Sequence, residues 1–216
     1  MLCLFLLFPM LPSDDMRTQI ILLSLFLLSG CVGNPPRQND IALYDLGQVP
    51  AATTVLVLPI AVLNVTPSPG VDSPALLYRL NFADDLRRRA YVESRWAAPP
   101  AELFKRHLQR QIVYGQAAEG VSGCRLELAL DELEQQFESA QKSHVVLELR
   151  AGLLARHGED ALARRAFRLQ REAPSTDARG SVQGTRAALQ GVTMELIDWL
   201  NGLAKTRPEL CQRRSG

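Results

Sequence analysis

The 216-residue sequence has few of the residues that usually form catalytic or metal sites. Its three histidines, His107, His144 and His157, lie on separate predicted elements and lack the spacing of metal ligands. It has no G-x-S-x-G elbow, P-loop or dinucleotide-binding glycine motif. We therefore predict no catalytic residues, no metal site and no cofactor. A hydrolase with an unrecognised site stays open as an alternative.

Two further absences exclude other classes of protein. The formal net charge is only +1, and no long block of like charge occurs, which argues against nucleic acid as a partner. A membrane-spanning helix needs about 20 continuous apolar residues. The N-terminal apolar runs at 1–11 and 20–28 are separated by a polar stretch that contains Asp14 and Asp15, so we do not expect a single membrane-spanning helix there. A hydrophobic fraction of 47% nevertheless supplies enough material for a globular core.

The second apolar run has the layout of a bacterial lipoprotein signal. Met16 and Arg17 precede it, and Leu-Ser-Gly-Cys closes it at 28–31. Cleavage between Gly30 and Cys31 would leave a thiol that takes diacylglycerol, whose acyl chains attach the protein to a membrane. We predict a signal peptide over 1–30, with Met16 as the true start and residues 1–15 superfluous. The alternative is an ordinary secretory signal followed by a chance cysteine.

The predicted mature chain has three parts. Residues 31–40 form a polar, proline-containing tether, residues 41–206 form the folded domain, and residues 207–216 form a C-terminal tail. In an oxidising compartment Cys124 and Cys211 can form a disulfide; two free thiols are the alternative.

Hydrophobic periodicity predicts strands at 53–62, 75–82, 91–97, 124–130, 145–155 and 162–170. A charged turn is expected at 84–89. Two helices are predicted: one begins at Pro99–Pro100 with a stripe of Phe104, Leu108 and Ile112, and the other spans about 182–203, capped by Thr176 or Asp177. The fold class is α/β, a single mixed, largely antiparallel sheet with at least two helices packed on it.

Within that pattern, Gly184 and Gly191 weaken the last helix intrinsically, which indicates close packing onto the sheet. The acidic run at 131–134 is interpreted as a solvated strand end. The arginines at 87–89 are interpreted as a solvated turn, with lipid head groups or an acidic partner as the alternative contact.

A distinctive run of motifs lies between residues 73 and 112. A Tyr-Arg-Leu strand at 78–80 is followed by a strand with Tyr91 and Ser-Arg-Trp-Ala at 94–97, and then by Pro-Pro at 99–100. This run resembles the ABC-type transport auxiliary lipoprotein family, which includes the lipoprotein subunit of Pqi-type intermembrane transport systems. Weaker agreement at 177–178 and at Trp199 extends the resemblance over nearly the whole mature chain, whereas residues 71–74 depart from the family pattern.

The resemblance implies a non-enzymatic periplasmic subunit of an MCE/ABC-type lipid transport system. Its partners would be an MCE-domain protein and, indirectly, an inner-membrane ABC transporter or permease, with a homo-oligomer as a further expectation. Val32 follows the lipidated cysteine where the family-level sorting rule requires Asp for inner-membrane retention, so we expect the periplasmic face of the outer membrane. A scaffold of a secretion or envelope-assembly complex is the alternative.

Four residues are candidates for partner contact: Tyr78, Arg79, Arg95 and Trp96. The two arginines are expected on neighbouring strands close to Trp96, where they could stack or pair. The alternative is that Tyr78, Trp96 and the prolines only fix the corner between strand and helix.

Overall fold

The computed structural model describes residues 40–48, 54–113 and 123–211. The predicted signal peptide, Cys31 and all of the tether except Asp40 lie outside the described residues. The described chain forms nine strands and two α-helices in the order β1 (Ala42–Tyr44), β2 (Thr54–Val55), β3 (Ile60–Pro67), β4 (Ala75–Leu80), β5 (Asp84–Trp96), α1 (Pro100–Gln111), β6 (Ile112–Val113), β7 (Cys124–Phe137), β8 (Ser143–Ala155), β9 (Ala161–Glu172) and α2 (Ala178–Thr206).

Seven of these strands form one mixed sheet. Its order is β1-β5-β4-β7-β8-β9, and β3 also pairs with β7. The pairs β4–β5, β7–β8 and β8–β9 are antiparallel, whereas β1–β5, β3–β7 and β4–β7 are parallel. β2 and β6 form a small parallel sheet of their own. The prediction of a mixed, largely antiparallel sheet that carries two helices is confirmed.

Strand β7 has two neighbours on the same side, one after the other. β3 pairs with its first half, from Cys124 to Leu130, and β4 pairs with its last three residues, Gln135–Phe137. Between the two pairings β7 carries a bulge, because Asp131 has no partner on β8. The acidic residues 131–134 therefore lie where β3 ends and β4 begins.

The core lies between one face of the sheet and the two helices. Strict alternation along the first half of β7 places Leu126, Leu128 and Leu130 on this face, where they are buried. α1 packs on β3, and α2 packs on β8 and β9. The apolar stripe of α2 is buried from Val182 to Leu200. The other face of the sheet, called here the open face, is not covered by these helices.

Local signals in the sequence account for how α2 begins and how closely it packs. The Asp177 carboxylate accepts a hydrogen bond from the Gly180 backbone N–H at 2.7 Å, so Asp177 is the N-cap. A Cβ on Gly184 would lie 2.7 Å from Val145 Cγ2, and one on Gly191 would lie 2.5 Å from Leu169 Cδ2. The prediction of close packing at both glycines is confirmed.

Two strand predictions need correction. The single strand expected at 53–62 is interrupted: β2 ends at Val55 and β3 begins at Ile60, because Pro59 has no N–H to continue a ladder. The charged stretch at 84–89 is the first half of β5, and the turn lies at 81–83. Its residues 84–87 are exposed, and Arg88 reaches across β4 to glutamates of β7.

The predicted tail also differs. After α2 ends at Thr206, the chain continues through a turn to Cys211, which is buried and forms a disulfide with Cys124 of β7. Their Cα atoms lie 5.1 Å apart. Residues 207–211 therefore belong to the folded domain.

Candidate docking surface

The open face carries a cluster of charged side chains where β4, β5 and β7 meet. Arg79 Nε donates to Glu134 Oε1 at 2.8 Å, and Arg79 Nη2 donates to Glu134 Oε2 at 3.3 Å. Arg88 Nε donates to the same Oε2 at 3.0 Å, and Arg88 Nη2 contacts the Glu132 carboxylate at 2.5 Å. We call Arg79, Arg88, Glu132 and Glu134 the arginine–glutamate cluster. It joins three strands that are distant in sequence.

The two carboxyl groups of the cluster have different environments. Burial opposes ionisation of Glu134, but hydrogen bonds from Arg79 and Gln136 and the charges of both arginines outweigh it, so its pKa lies below the ordinary value. Burial and the neighbouring Glu134 carboxylate raise the pKa of Glu132 despite its contact with Arg88. Glu134 is therefore the permanently charged centre of the cluster near neutral pH.

This cluster corrects the interpretation of residues 131–134 as a solvated strand end. The side chain of Glu134 is completely buried, and Asp131 accepts hydrogen bonds from Arg150 and Ser68. It also corrects the interpretation of Arg88 as part of a solvated turn. The Glu-x-Glu spacing in a strand was the available signal, since alternation places both carboxylates on one face.

Further along the open face, arginines of β8 and β9 are also paired. Arg150 contacts Asp131, and Arg168 contacts Glu148 of the neighbouring strand. These cross-strand pairs partly neutralise the charge of this region.

A second feature lies at the β1–β5 end of the sheet. On the side away from β4, β5 pairs with β1 only over Ser94–Trp96, and no other described strand adjoins residues 84–93 on that side. Large apolar side chains are exposed along this end of the sheet. We call this surface the apolar edge, and it comprises Ile41, Leu43, Phe82, Leu86 and Val92.

Strand register places part of the apolar edge on the open face. In-register partners lie on the same face of a sheet. Leu43 is opposite Arg95, Arg95 is opposite Ala75, and Arg79 is opposite Arg88. Arg79 and Arg88 reach the glutamates of β7 on the open face. Ala75 is four residues before Arg79 in β4 and therefore lies on the same face, and so do its partner Arg95 and, next to that, Leu43. The apolar edge thus adjoins exposed guanidinium groups.

The four residues predicted for partner contact are separated by the structure. Arg95 lies opposite Ala75 and Arg79 lies opposite Arg88, four residues further along β4, so the two arginines do not meet beside Trp96. Trp96 is only 2% exposed. Arg79 is held in the arginine–glutamate cluster, so among the four Arg95 alone is exposed.

Tyr78 and Trp96 instead make contacts within the domain. The Tyr78 ring packs 4.7 Å from that of Tyr91 and 5.9 Å from that of Phe137, measured between centroids, so it joins β4 to β5 and β7. The Tyr91 hydroxyl donates to Gln135 Oε1 at 2.6 Å, and burial raises the pKa of this phenol. The buried Trp96 lies just before Pro99 and α1 and donates its backbone N–H to the Pro74 carbonyl. These contacts favour a structural role for both residues, at the strand–helix corner for Trp96 and between strands for Tyr78.

None of the three histidines belongs to the arginine–glutamate cluster or to the apolar edge, although His144 of β8 is opposite Gln136, which donates to Glu134. His107 of α1 is 6% exposed, and neither ring nitrogen has a hydrogen-bond partner. Burial, followed by the charge of Arg186, lowers its pKa. His144 contacts Glu138, and His157 lies in the exposed turn after β8. Among the described residues no group of three or more His, Cys, Asp or Glu is placed to hold a metal ion. No helix in that part of the chain is long and apolar enough to span a membrane.

The sequence and the fold are both similar to those of known proteins. The sequence model of the ABC-type transport auxiliary lipoprotein component matches residues 44–196. A solved structure of a Xanthomonas campestris protein, assigned to the DUF330 family model, is similar with a TM-score of 0.59 and 18% identity, over 78% of this chain and 96% of that one. A second, described as an uncharacterized protein, gives a TM-score of 0.54 and 15% identity, over 75% and 97%. These two similarities concern the fold. No curated protein matches the sequence.

Proposed function

The chain belongs to the ABC-type transport auxiliary lipoprotein family, and on this basis we propose that it is the lipoprotein subunit of an MCE/ABC-type intermembrane lipid transport system. In this proposal the domain is anchored at Cys31 to the periplasmic face of the outer membrane. It acts by docking to an MCE-domain protein, which connects it to an inner-membrane ABC transporter or permease. The observation that carries the proposal is the family match over residues 44–196.

Features of the domain support docking over catalysis. The charged groups of the open face are satisfied by one another in cross-strand pairs such as Arg79–Glu134 and Arg150–Asp131. A catalytic carboxylate or base would need access to a substrate, whereas Glu134 is buried beneath two arginines. The apolar edge, in contrast, offers exposed apolar area and a stretch of β5 whose outer edge no described strand adjoins, which are features of contact surfaces.

The anchor is supported by sequence. Gly30 and Cys31 end a lipoprotein signal, and acyl chains on the Cys31 sulfur and on the new N-terminus would give stable attachment. Val32, rather than Asp, after the cysteine favours the outer membrane. The tether at 31–40 and the domain, which begins at residue 41 and extends through Cys211, belong to the mature protein in this proposal.

Fatty-acid labelling of cells followed by separation of the two membranes tests the anchor. We expect labelled palmitate in the wild-type protein and none in Cys31→Ser, while the control variant Cys3→Ser keeps the label because Cys3 lies in the predicted signal peptide. We expect Val32→Asp to move the labelled protein to the inner membrane. Label that persists in Cys31→Ser, or wild-type protein in the inner-membrane fraction, would contradict the proposal.

A further inference from the structure

The described residues expose seven large apolar side chains, and five of them form the apolar edge. Leu86 and Val92 of β5 are each 88% exposed, and Leu43 of β1 is 65% exposed. Scattered apolar residues on a surface are ordinary, but these five follow one edge of the sheet, from the turn before β5 along β5 to β1. Such a concentration of exposed apolar side chains marks a contact surface. The two remaining exposed side chains, Val57 and Met194, lie elsewhere.

Arginines accompany the apolar residues. Arg95 lies opposite Leu43 on the open face, whereas Arg87, which follows Leu86 in β5, points to the opposite face of that strand. Both arginines are exposed. Apolar side chains that lie beside guanidinium groups suit the boundary between lipid phosphates and acyl chains, because long cationic side chains keep their charged ends at the level of the head groups.

The length of the tether limits how far the start of the domain can lie from the membrane. Asp40 is the ninth residue after Cys31, and β1 begins two residues later, at Ala42. Nine extended residues span at most about 32 Å. If Cys31 carries lipid, Asp40 cannot lie farther than this from the membrane, and Asp40 directly precedes Ile41, the first residue of the apolar edge. The chain that runs to the anchor therefore leaves the domain at the β1–β5 end of the sheet.

We infer that the apolar edge contacts the surface of the phospholipid bilayer to which the protein is anchored, with Leu43, Leu86 and Val92 at the level of the acyl chains and Arg95 at the phosphates. This inference rests on the proposed anchoring at Cys31. It orients the domain: the β1–β5 end faces the lipid, and β9, at the other end of the sheet, faces away. The membrane, and not only the tether, then fixes the direction in which the domain presents its remaining surface to a partner.

The test uses the full mature, lipidated protein in vesicles of phosphatidylethanolamine and phosphatidylglycerol. A single reactive cysteine is introduced by Leu86→Cys or Val92→Cys and labelled with the environment-sensitive dye NBD, while Cys124 and Cys211 stay in their disulfide. Met194→Cys is the matched control, because Met194 is also an exposed apolar residue, 67% exposed, but lies on α2, which covers the other face of the sheet. Circular dichroism checks that each variant folds.

We expect NBD at positions 86 and 92 to shift to shorter wavelength in vesicles and to be quenched by lipids that carry a nitroxide on the acyl chain. NBD at 194 should show neither effect. A shift without quenching by lipid would mean that protein covers the edge, from a second copy or a partner, and would overturn the inference, as would no change at 86 and 92. Flotation of the vesicles separates the two proposals. If the protein floats with the vesicles but NBD at 86 and 92 stays exposed to water, only the inference is contradicted. If the protein does not float, the anchoring is contradicted as well.

Discussion

The guanidinium of Arg79 holds the carboxylate of Glu134 through two hydrogen bonds, although the residues are separated by 55 positions in the sequence. The Glu134 side chain is completely buried, and Arg88 of β5 contacts the same carboxylate from the next strand. This contact fastens β4 and β5 to β7 at the point where only three residues of β7 pair with β4. The short parallel pairing thus depends on side chains as well as on backbone hydrogen bonds.

We predict that Glu134→Gln lowers the free energy of unfolding by about 3 kcal/mol, because it leaves the partly buried Arg79 without a carboxylate and Arg88 with Glu132 alone. The matched control is Glu102→Gln, which removes the exposed pair with Arg106 on α1 and should cost less than about 0.5 kcal/mol. Urea denaturation followed by circular dichroism measures both. Equal losses in the two variants would show that the cluster does not fasten the strands.

Through the arginine–glutamate cluster, the free energy of unfolding should fall as the solution is acidified. Because the pKa of Glu134 is lowered below its ordinary 4.5, its contribution is complete above that pH and is lost as the pH falls through the folded-state value. Glu134→Gln should therefore show a smaller loss of stability on acidification than the wild type. Parallel pH profiles in the two proteins would contradict this assignment.

We predict that the buried imidazole of His107 lowers the free energy of unfolding of the protein. Its ring nitrogens are buried without partners, so His107→Leu should raise the free energy of unfolding by about 1 kcal/mol at neutral pH. Since the pKa of His107 is lowered from 6.5, the wild type loses further stability as the pH falls below that value, and the variant should lack this loss. The exposed His157→Leu is the control, and urea titrations at pH 7.5 and about pH 5.5 make the comparison. A larger acid loss in the variant than in the wild type would refute the prediction.

Two glycines of α2 should respond oppositely to alanine. At Gly184 a Cβ would meet Val145 Cγ2 at 2.7 Å, and the β-branched Val145 cannot easily move, so Gly184→Ala should destabilise the protein by about 1–3 kcal/mol. At Gly202 nothing lies within 4 Å, so Gly202→Ala should stabilise it by up to about 1 kcal/mol through helix propensity. Thermal unfolding of both variants measures the difference in sign. Stabilisation by both substitutions would show that α2 packs less closely than described.

Cys124 and Cys211 are 87 positions apart, and their disulfide joins the start of β7 to the turn after α2. We predict that replacing both with alanine lowers the free energy of unfolding by about 4 kcal/mol, chiefly because the unfolded chain loses a long closed loop. Dithiothreitol should produce a similar loss in the wild type and none in the double variant. A wild type whose mass and stability are unchanged by reduction would contradict the bond.

Most of the helix and hairpin structure follows from local patterns in the sequence. The three- and four-residue steps of α2, its Asp177 cap and the alternation at the start of β7 are visible without any tertiary information. The gap between β2 and β3 at Pro59 is not evident from the nearly continuous apolar run at 53–62, which is typical of one strand.

The candidate surfaces were less predictable, for a physical reason. The first half of β5 is rich in charge and has no apolar alternation, so it is typical of a turn; it is a strand because Arg88 meets glutamates 44 and 46 positions away. Trp96 looked like a contact residue, but its burial depends on the pairing of β1 and β4 around it. Such long-range partners are not encoded in local periodicity.

The measurement that tests the central claim most directly is isolation of the lipidated protein from crosslinked membranes, followed by mass spectrometry of the associated proteins. Wild-type protein and the unlipidated Cys31→Ser variant are compared at equal abundance. The account predicts that an MCE-domain protein is recovered with the wild type and strongly reduced with the variant, which is no longer held at the membrane. Recovery of intact, lipidated protein without any MCE-domain protein, or with components of a secretion complex instead, would contradict it.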